Sequence, residues 1–479
     1  MRPYILSALL TSQIFAASPN QSEYYKIEPI PLPEGEVMEI GSIALMPNDR
    51  VAVTTRRGDL WICDGAYGDD LKKVKWTRFA HGLHEPLGMF WKDDSLYLTQ
   101  RAEFSRIKDT DKDGIADSFE TINADWGING DYHEYAFGTP PDKNGDVWIT
   151  LCLTGSFNAD SDWRGWTVRI TPDGKMIPTC SGIRSPGGIG FNAEGDVFYT
   201  DNQGTWNGSS SLKWLKPGSF QGNPTANKFH KLANLPAPPE PLDGSRPMVE
   251  HIKNPNYLPP AVFLPHGKVG QSPTAIEPDL SQGKFGPWAG QLYVGEQTHS
   301  QVQRVFLEKI NGHYQGAVFH LLEGFQCGII PTKLDPRGIM FVGGSNRGWG
   351  SRGNQPFNFE RVKWTGKTPF EILTMKAEPD GFTLTFTEEA GASAGDPASY
   401  SMSAWTYILQ SKYGSPEVDQ ATPTIKSATL STDKKSVRLT IDGLVRGHVH
   451  HLKANQVKSA KGSSLWHSDA YYTLNNIPK

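Results

Sequence analysis

The chain has no surplus of basic residues, few cysteines and few long apolar runs. Lys and Arg number 47 against 51 Asp and Glu, a formal net charge of -4. No excess of cations is available to release counterions from a polyanion, which excludes nucleic acid as a partner. Four cysteines, Cys63, Cys152, Cys180 and Cys327, occur in 479 residues. None shows C-x-x-C spacing, so a zinc ribbon and a covalently attached haem are excluded, while two disulfides in an exported chain and buried free thiols both remain open. Beyond the N-terminus no apolar run approaches the roughly 20 residues that span a bilayer, so no membrane span is expected in the mature chain. What is abundant is Gly (49) and Pro (35), which interrupt helices and punctuate turns and so favour many short strands. With 37% hydrophobic and 11% aromatic residues the chain can build a large core, and its length corresponds to about three domain-sized units.

Met1-Arg2-Pro3 followed by the mostly apolar Tyr4 to Ala17 and the small residues Ala16, Ala17 and Ser18 has the form of a secretory signal over residues 1–18. Pro19 leaves the exact cleavage bond open. The mature chain is expected to be periplasmic or extracellular.

One unit recurs: an alternating apolar run, a turn with Gly, Asp or Asn, then a second run ending in small or polar residues. Gly41 to Thr55 is the first copy. Others centre on Gly88–Thr99, Tyr135–Thr150, Gly188–Thr200, Gly290–Val294 and Gly338–Val342. Most are spaced by roughly 45–50 residues, the length of a four-stranded propeller blade. The wider gap holds a Pro-rich insertion near 217–260. An all-β, six-bladed β-propeller over residues 19–366 follows, and stacked sandwiches explain the strands but not the period. After Lys367 the period stops. Strand-like runs at Gly381–Phe386, Ser436–Ile441 and Ala470–Leu474 predict an immunoglobulin-like β-sandwich over residues 367–479. Alternation there puts His448 and His450 on one face and His451 on the other, read as a solvated strand face.

Asp109-Thr110-Asp111-Lys112-Asp113-Gly114-Ile115-Ala116-Asp117-Ser118-Phe119-Glu120 satisfies the calcium-loop pattern D-x-D-x-D-G-x5-E. Asp109, Asp111, Asp113, Asp117 and Glu120 would supply side-chain oxygens and Ile115 a carbonyl. The flanks do not read as paired helices, so a structural calcium loop on a blade is expected rather than a sensor.

Propellers collect functional loops at one end of the channel, so polar groups at matching points of successive copies are the candidates. His133 precedes the strand of the third copy, and Arg184-Ser185-Pro186-Gly187-Gly188 occupies the same slot in the fourth, followed by Asp201-Asn202-Gln203-Gly204. A histidine takes a proton near neutral pH and an arginine stabilises developing negative charge. The loop Asn346-Arg347-Gly348-Trp349-Gly350 is a further candidate for ligand contact. Trp126, Trp163, Trp166 and Trp206 lie near these motifs as well; at least half of these tryptophans are expected to pack between blades.

His133 before its strand, Val147-Trp148-Ile149-Thr150, Arg184-Ser185-Pro186-Gly187-Gly188-Ile189-Gly190-Phe191 and Asn202-Gln203-Gly204 resemble the glucose/sorbosone dehydrogenase family of soluble quinoprotein propellers, over roughly residues 40–365. Trp126 to Gly138, Asp201 to Gly204 and Asn346 to Gly350 are also similar to strings in large secreted bacterial proteins described as membrane-bound dehydrogenases. The resemblance implies a secreted dehydrogenase of a sugar (aldose or sorbosone type) that uses pyrroloquinoline quinone (PQQ) and Ca2+ and passes electrons to a separate acceptor. It implies His133 as base, Arg184 as charge stabiliser, Gln203 as a cofactor contact and the Gly204 carbonyl as a ligand of an active-site calcium.

The chain departs from the family at Cys152-Leu153-Thr154, where an aspartate would orient the histidine; Asp131 or Glu134 would have to replace it. It departs also at Gln297-Thr298, Gly328 and Ile330, where cations would hold the cofactor carboxylates. Lys268, Lys333 and Arg347 are the cations left to replace them. The alternative is a non-catalytic propeller that binds carbohydrate or protein, with the C-terminal module as spacer. A calcium-dependent hydrolase or lactonase is a third reading. If Lys268, Lys333 and Arg347 diverge from His133 and Arg184, the binding reading gains.

Overall fold

The structure is a computed structural model that describes residues 20–479; the expected signal segment lies outside them. Four-stranded antiparallel sheets follow one another along the chain. The first runs Ile40–Met46, Arg50–Thr55, Leu60–Asp64, Lys75–Ala80. The innermost strands of the sheets that follow are Gly88–Lys92, Ala136–Pro141, Pro186–Phe191, Pro273–Pro278 and Ile329–Leu334. Each of these packs beside the next, and the last packs back on Ile40–Met46. The sheets therefore close into a ring, the arrangement of a β-propeller. The closing sheet takes its outer strand from the other end of the chain, where Tyr25–Pro29 pairs with Phe357–Trp364 from Tyr25↔Trp364 to Pro29↔Glu360.

Inner strands can crowd the axis only where side chains are absent. A Cβ on Gly138 would lie 1.9 Å from Thr99 Oγ1, and one on Gly187 would lie 2.0 Å from the Pro273 carbonyl. Between the sheets the side chains are apolar: Phe104, Val147, Ile149, Trp163, Trp166 and Phe229 form one such layer. Each such large side chain contributes about 1.5–3 kcal/mol on burial. The Pro-rich insertion interrupts the fourth sheet between Ser211–Trp214 and its short outer strand Val262–Phe263, and carries a 3-10 helix (Pro224–Lys231) and an α-helix (Pro247–Lys253).

The last quarter of the chain is not a detached spacer. Ile372–Glu378, Gly381–Phe386, Thr424–Leu430 and Ser436–Asp442 form one antiparallel sheet. Val418–Ala421, Ser401–Thr406, His448–Lys453 and Asp469–Leu474 continue the fifth ring sheet through the pairs Gly316↔Thr473, Ala317↔Tyr472 and Val318↔Tyr471. One eight-stranded sheet therefore spans both regions. It is made possible by the ten-residue strands Gln301–Ile310 and His313–Leu322, which are twice the length of the inner strand Leu292–Glu296. Phe306, Ala317 and Phe319 of those strands share a core with Phe382, Leu384, Leu439 and Tyr472.

This fusion corrects the reading of the C-terminal histidines as a solvated face. His448 and His450 are buried and His451 is half-buried beside Asp469, 2.7 Å away. Their strand lies inside the sheet with both faces covered, His450 near Phe382 and His451 stacked on Tyr471. The His450 Nε2 accepts the Val445 N–H at 3.3 Å, a role only the neutral ring can play. All four cysteines are buried and free.

Burial lowers the pKa of His450 to about 3 and that of His320 to about 4 from an ordinary 6.5. Both rings are neutral in the folded chain, so the stability they preserve is present above pH 6.5. It is lost as pH falls from there through the folded values, on the order of 5 kcal/mol for His450 and 3 kcal/mol for His320. The unfolding temperature is expected to drop between pH 7 and pH 4, and His450→Gln to remove part of the drop. An unchanged pH profile in that variant would contradict the assignment.

Candidate functional site at the channel mouth

The second strand of each inner hairpin ends at the same side of the ring, and the residues just beyond these ends line a cavity of about 230 Å³. Its wall includes Arg56, His133, Arg184, Asn202 and Gln297. Leu87, Phe137 and Ile330 pack together as a plug across the channel. They divide this cavity from a larger one of about 580 Å³ at the opposite end, which is lined by glycines, apolar side chains and the Lys333–Glu277 pair. Polar side chains able to do chemistry converge on the smaller one.

His133 sits on a loop tied down by its neighbours. The Asp131 carboxylate accepts the backbone N–H groups of His133 and Gly155, each at 2.8 Å, and lies 4.0 Å from His133 Nδ1. Glu134 does not orient the histidine. It is buried, accepts the Thr154 hydroxyl at 2.8 Å and the Asn129 N–H at 2.7 Å, and so holds the loop. Asp131 is therefore the carboxylate beside His133. The imidazole packs edge-on against Tyr132 and Tyr135 and near Trp349. Burial lowers its pKa, Asp131 opposes this, and the guanidiniums of Arg184, Arg101 and Arg56 lower it further. A neutral imidazole at pH 7 can accept a proton from a hydroxyl.

Arg184 is 3% exposed. Its Nη1 donates to the carbonyls of Asn202 at 3.3 Å and Gln203 at 2.9 Å, while its Nε has no partner. Its guanidinium lies beside the rings of Phe157 and Tyr413, with centroids at 5.5 and 5.2 Å. Gly204 is a glycine for a steric reason: a Cβ there would lie 1.9 Å from Arg184 Cζ. On the other wall Arg56 and Arg101 share the buried Glu85, through contacts of 2.7 and 2.8 Å, and Arg56 also reaches the hydroxyl of Tyr135 at 3.1 Å. Removing Glu85 would leave two buried cations, a loss of about 3–5 kcal/mol.

The remaining candidates are not gathered here. The Gly204 carbonyl accepts the Gly414 N–H at 3.0 Å, so it is taken up by the C-terminal module. Gln203 donates to the Gly208 carbonyl at 3.2 Å and packs under Gly414. Arg347 bonds the Arg56 carbonyl at 3.0 Å and lies 3.7 Å from Glu39. Lys333 pairs with Glu277 at the opposite cavity, and Lys268 pairs with Glu417 at 2.6 Å. These three cations thus diverge from His133 and Arg184. Of the tryptophans, Trp126, Trp163 and Trp166 are buried, as expected, and Trp349 is half exposed on the cavity.

The residues present do not fit PQQ as its three carboxylates require. One guanidinium at the cavity lacks a carboxylate partner among the described residues, and the cations expected to replace the family clamp are engaged elsewhere. In the acidic loop the carboxylates of Asp109, Asp111 and Asp113 gather within 4.8 Å of one another. Asp117 turns back to the Thr110 hydroxyl at 2.6 Å, Glu120 pairs with Arg106, and Ile115 donates its N–H to Asp113. The loop as folded fits a cation through three side chains. It joins the two outer strands of the second sheet, Phe104–Lys108 and Ser118–Asn123, at the rim of the ring.

Several cavity residues escaped the sequence reading. Arg56 follows the second strand of the first copy just as Asn202 follows that of the fourth, a slot comparison that could have found it. His266, whose Nδ1 is buried without a partner and whose pKa burial lowers, comes from a loop after the insertion. Phe157 and Tyr413 carry no local signal. For His133 the account predicts an imidazole titration midpoint below 6.5 by NMR, lowered further in Asp131→Asn, which removes the one carboxylate that opposes the shift. A midpoint above 6.5 would contradict it.

Among solved structures, a protein of Thermus thermophilus described as an oxidoreductase (glucose dehydrogenase) is similar, at 16% identity and a TM-score of 0.50, over 71% of this chain and 99% of that one. The calcium structure of a Trichoderma reesei protein of Carbohydrate-Active Enzymes Family AA12 has 11% identity and a TM-score of 0.50 over 74% of this chain and 98% of that one. The PQQ-bound aldose sugar dehydrogenase of Streptomyces coelicolor has 14% identity and a TM-score of 0.49 over 71% and 98%. These likenesses are of fold. No curated protein matches the chain. A family model does match, over residues 57–316, more than half of the sequence, and the chain belongs to the family described as a domain of unknown function (DUF7133).

Proposed function

We propose that the chain is a secreted sugar dehydrogenase-type propeller whose mouth cavity binds a sugar, with His133 as the base that takes a hydroxyl proton. The observation that carries this reading is the placement of a neutral, half-buried imidazole and a buried guanidinium on one small cavity with aromatic walls. Aromatic faces suit the C–H faces of a sugar ring, and the cavity's polar groups can hold its hydroxyls. In this reading Asp131 favours proton uptake at His133, and Arg184 stabilises negative charge that develops on the ligand. Similarity of fold to the Thermus thermophilus protein described as a glucose dehydrogenase supports it.

The same reading takes the ring as a six-bladed propeller over residues 19–366 and the C-terminal pair of sheets over residues 367–479 as an immunoglobulin-like sandwich. It takes residues 1–18 as a cleaved signal, with the mature chain outside the cytoplasm. No helix among the described residues is long and apolar enough to cross a membrane. Electrons leaving the sugar would pass to a separate acceptor. The cavity does not offer the cations that PQQ needs. Ca2+ belongs to the rim loop at Asp109, Asp111 and Asp113, where it ties two outer strands together without touching the chemistry.

The divergence of Lys268, Lys333 and Arg347 favours a second reading, a propeller that binds carbohydrate without oxidising it. Calorimetry with a panel of sugars, paired with dye reduction in the presence of PQQ and Ca2+, separates the two. Saturable sugar binding, about tenfold weaker in His133→Ala, is expected. Dye reduction that requires His133 supports the dehydrogenase, and binding with no dye reduction supports the second reading. No binding of any sugar would overturn both. At the rim, Asp111→Asn is expected to weaken Ca2+ binding at least about tenfold and to leave sugar binding unchanged; unchanged Ca2+ affinity would place the ion elsewhere.

A further inference from the structure

The C-terminal module lays one loop across the mouth of the ring. Thr205 bridges Tyr413, Trp206 N–H donates to the Gln410 carbonyl at 2.7 Å, and Gly414 N–H donates to Gly204. The Asp243 carboxylate accepts the Ser411 hydroxyl at 2.5 Å, and Arg246 forms a two-pronged pair with Asp419 at 2.7 and 3.0 Å. This docking brings Tyr413 to the cavity opposite Phe157, their ring centroids 6.5 Å apart.

Beside those rings lies a cation with no carboxylate partner among the described residues. No carboxylate lies within 4.0 Å of the Arg184 guanidinium among the described residues, and its Nε is unpartnered although the side chain is almost wholly buried. The nearby carboxylates are spent: Asp201 on Lys213 and the Ser185 N–H, Asp131 on two backbone N–H groups, Glu85 on two arginines. A buried charge left unpaired is costly, and a ligand that neutralises it recovers the cost in a poorly solvated setting. The rings themselves are about half exposed, Phe157 at 50% and Tyr413 at 58%. Large aromatic surface held at a cavity rim marks a place that a ligand covers. A second guanidinium on the cavity wall, that of Arg56, shares the single carboxylate of Glu85 with Arg101. A chain of net charge -4 thus places two guanidiniums, Arg184 and Arg56, on the wall of this cavity.

We propose that the ligand is an acidic sugar, a pyranose bearing a carboxylate or a sulfate, whose anionic group pairs with Arg184 while Phe157 and Tyr413 cover its ring. The C-terminal module is then part of the binding site and sets its specificity through Tyr413. This deepens the sugar-binding reading of the cavity and rests on it.

The test is calorimetry on the full mature chain with three probes matched in size: a galacturonate trisaccharide, a sulfated galactose trisaccharide and the neutral galactose trisaccharide. At least one acidic probe is expected to bind about tenfold or more tighter than the neutral one, with affinity that falls as salt is raised. Comparison of the two acidic probes identifies which anion the site takes. Arg184→Gln is expected to abolish the preference for the acidic probe over the neutral one. Because Arg184 is buried, that variant is checked for folding by its thermal transition. Tyr413→Ala, at an exposed position, provides the second variant, and is expected to weaken the acidic probe about fivefold or more. Neutral and acidic probes binding equally would overturn the proposal and leave the sugar reading standing. Binding of none of the three would overturn both.

Discussion

Closure of the ring by pairing between Tyr25–Pro29 and Phe357–Trp364 is the constraint from which every functional position follows. A closed ring of sheets leaves only short, protected strand edges around its channel, and the ends of its inner hairpins are held in place by the sheets on either side. Arg56, His133 and Arg184 come from different sheets, far apart in sequence, and meet only because the circle is complete. The apolar plug of Leu87, Phe137 and Ile330 then turns an open channel into two separate cavities. One of them carries His133 and Arg184.

The second organising feature is the eight-stranded sheet. Pairing of His313–Leu322 with Asp469–Leu474 fixes the C-terminal module against the fifth sheet. It is this rigidity that lets a loop from the module supply Tyr413 to a site otherwise made by the ring. The Gly204 carbonyl, which the family resemblance would give to a calcium ion, is instead used to hold that loop through Gly414. A position can keep its residue while its backbone group serves the adjoining module.

The repeat was legible because each inner hairpin writes its own local signal: alternating apolar residues, a tight turn, and glycine where neighbouring inner strands touch. His133 and Arg184 were legible for the same reason, as residues in matching slots. The closing strand was not, since five residues that pair with the far end of the chain carry no period. The burial of His448 and His450 was missed because alternation tells which residues share a face but not whether that face is covered. Phe157, Tyr413 and His266 became site residues through long-range docking, and Lys268, Lys333 and Arg347 were lost as candidates because each found a nearer partner. In each case local pattern yielded to tertiary pairing.

The central claim is that the cavity bearing His133 and Arg184 is where the ligand binds. A crystal structure of the full mature chain with a bound sugar tests it most directly. The account predicts a sugar ring within hydrogen-bond reach of the His133 imidazole and against Tyr413, on the Arg184 side of the Leu87, Phe137 and Ile330 plug. A sugar held instead in the opposite cavity, beside Lys333 and Glu277, would contradict it.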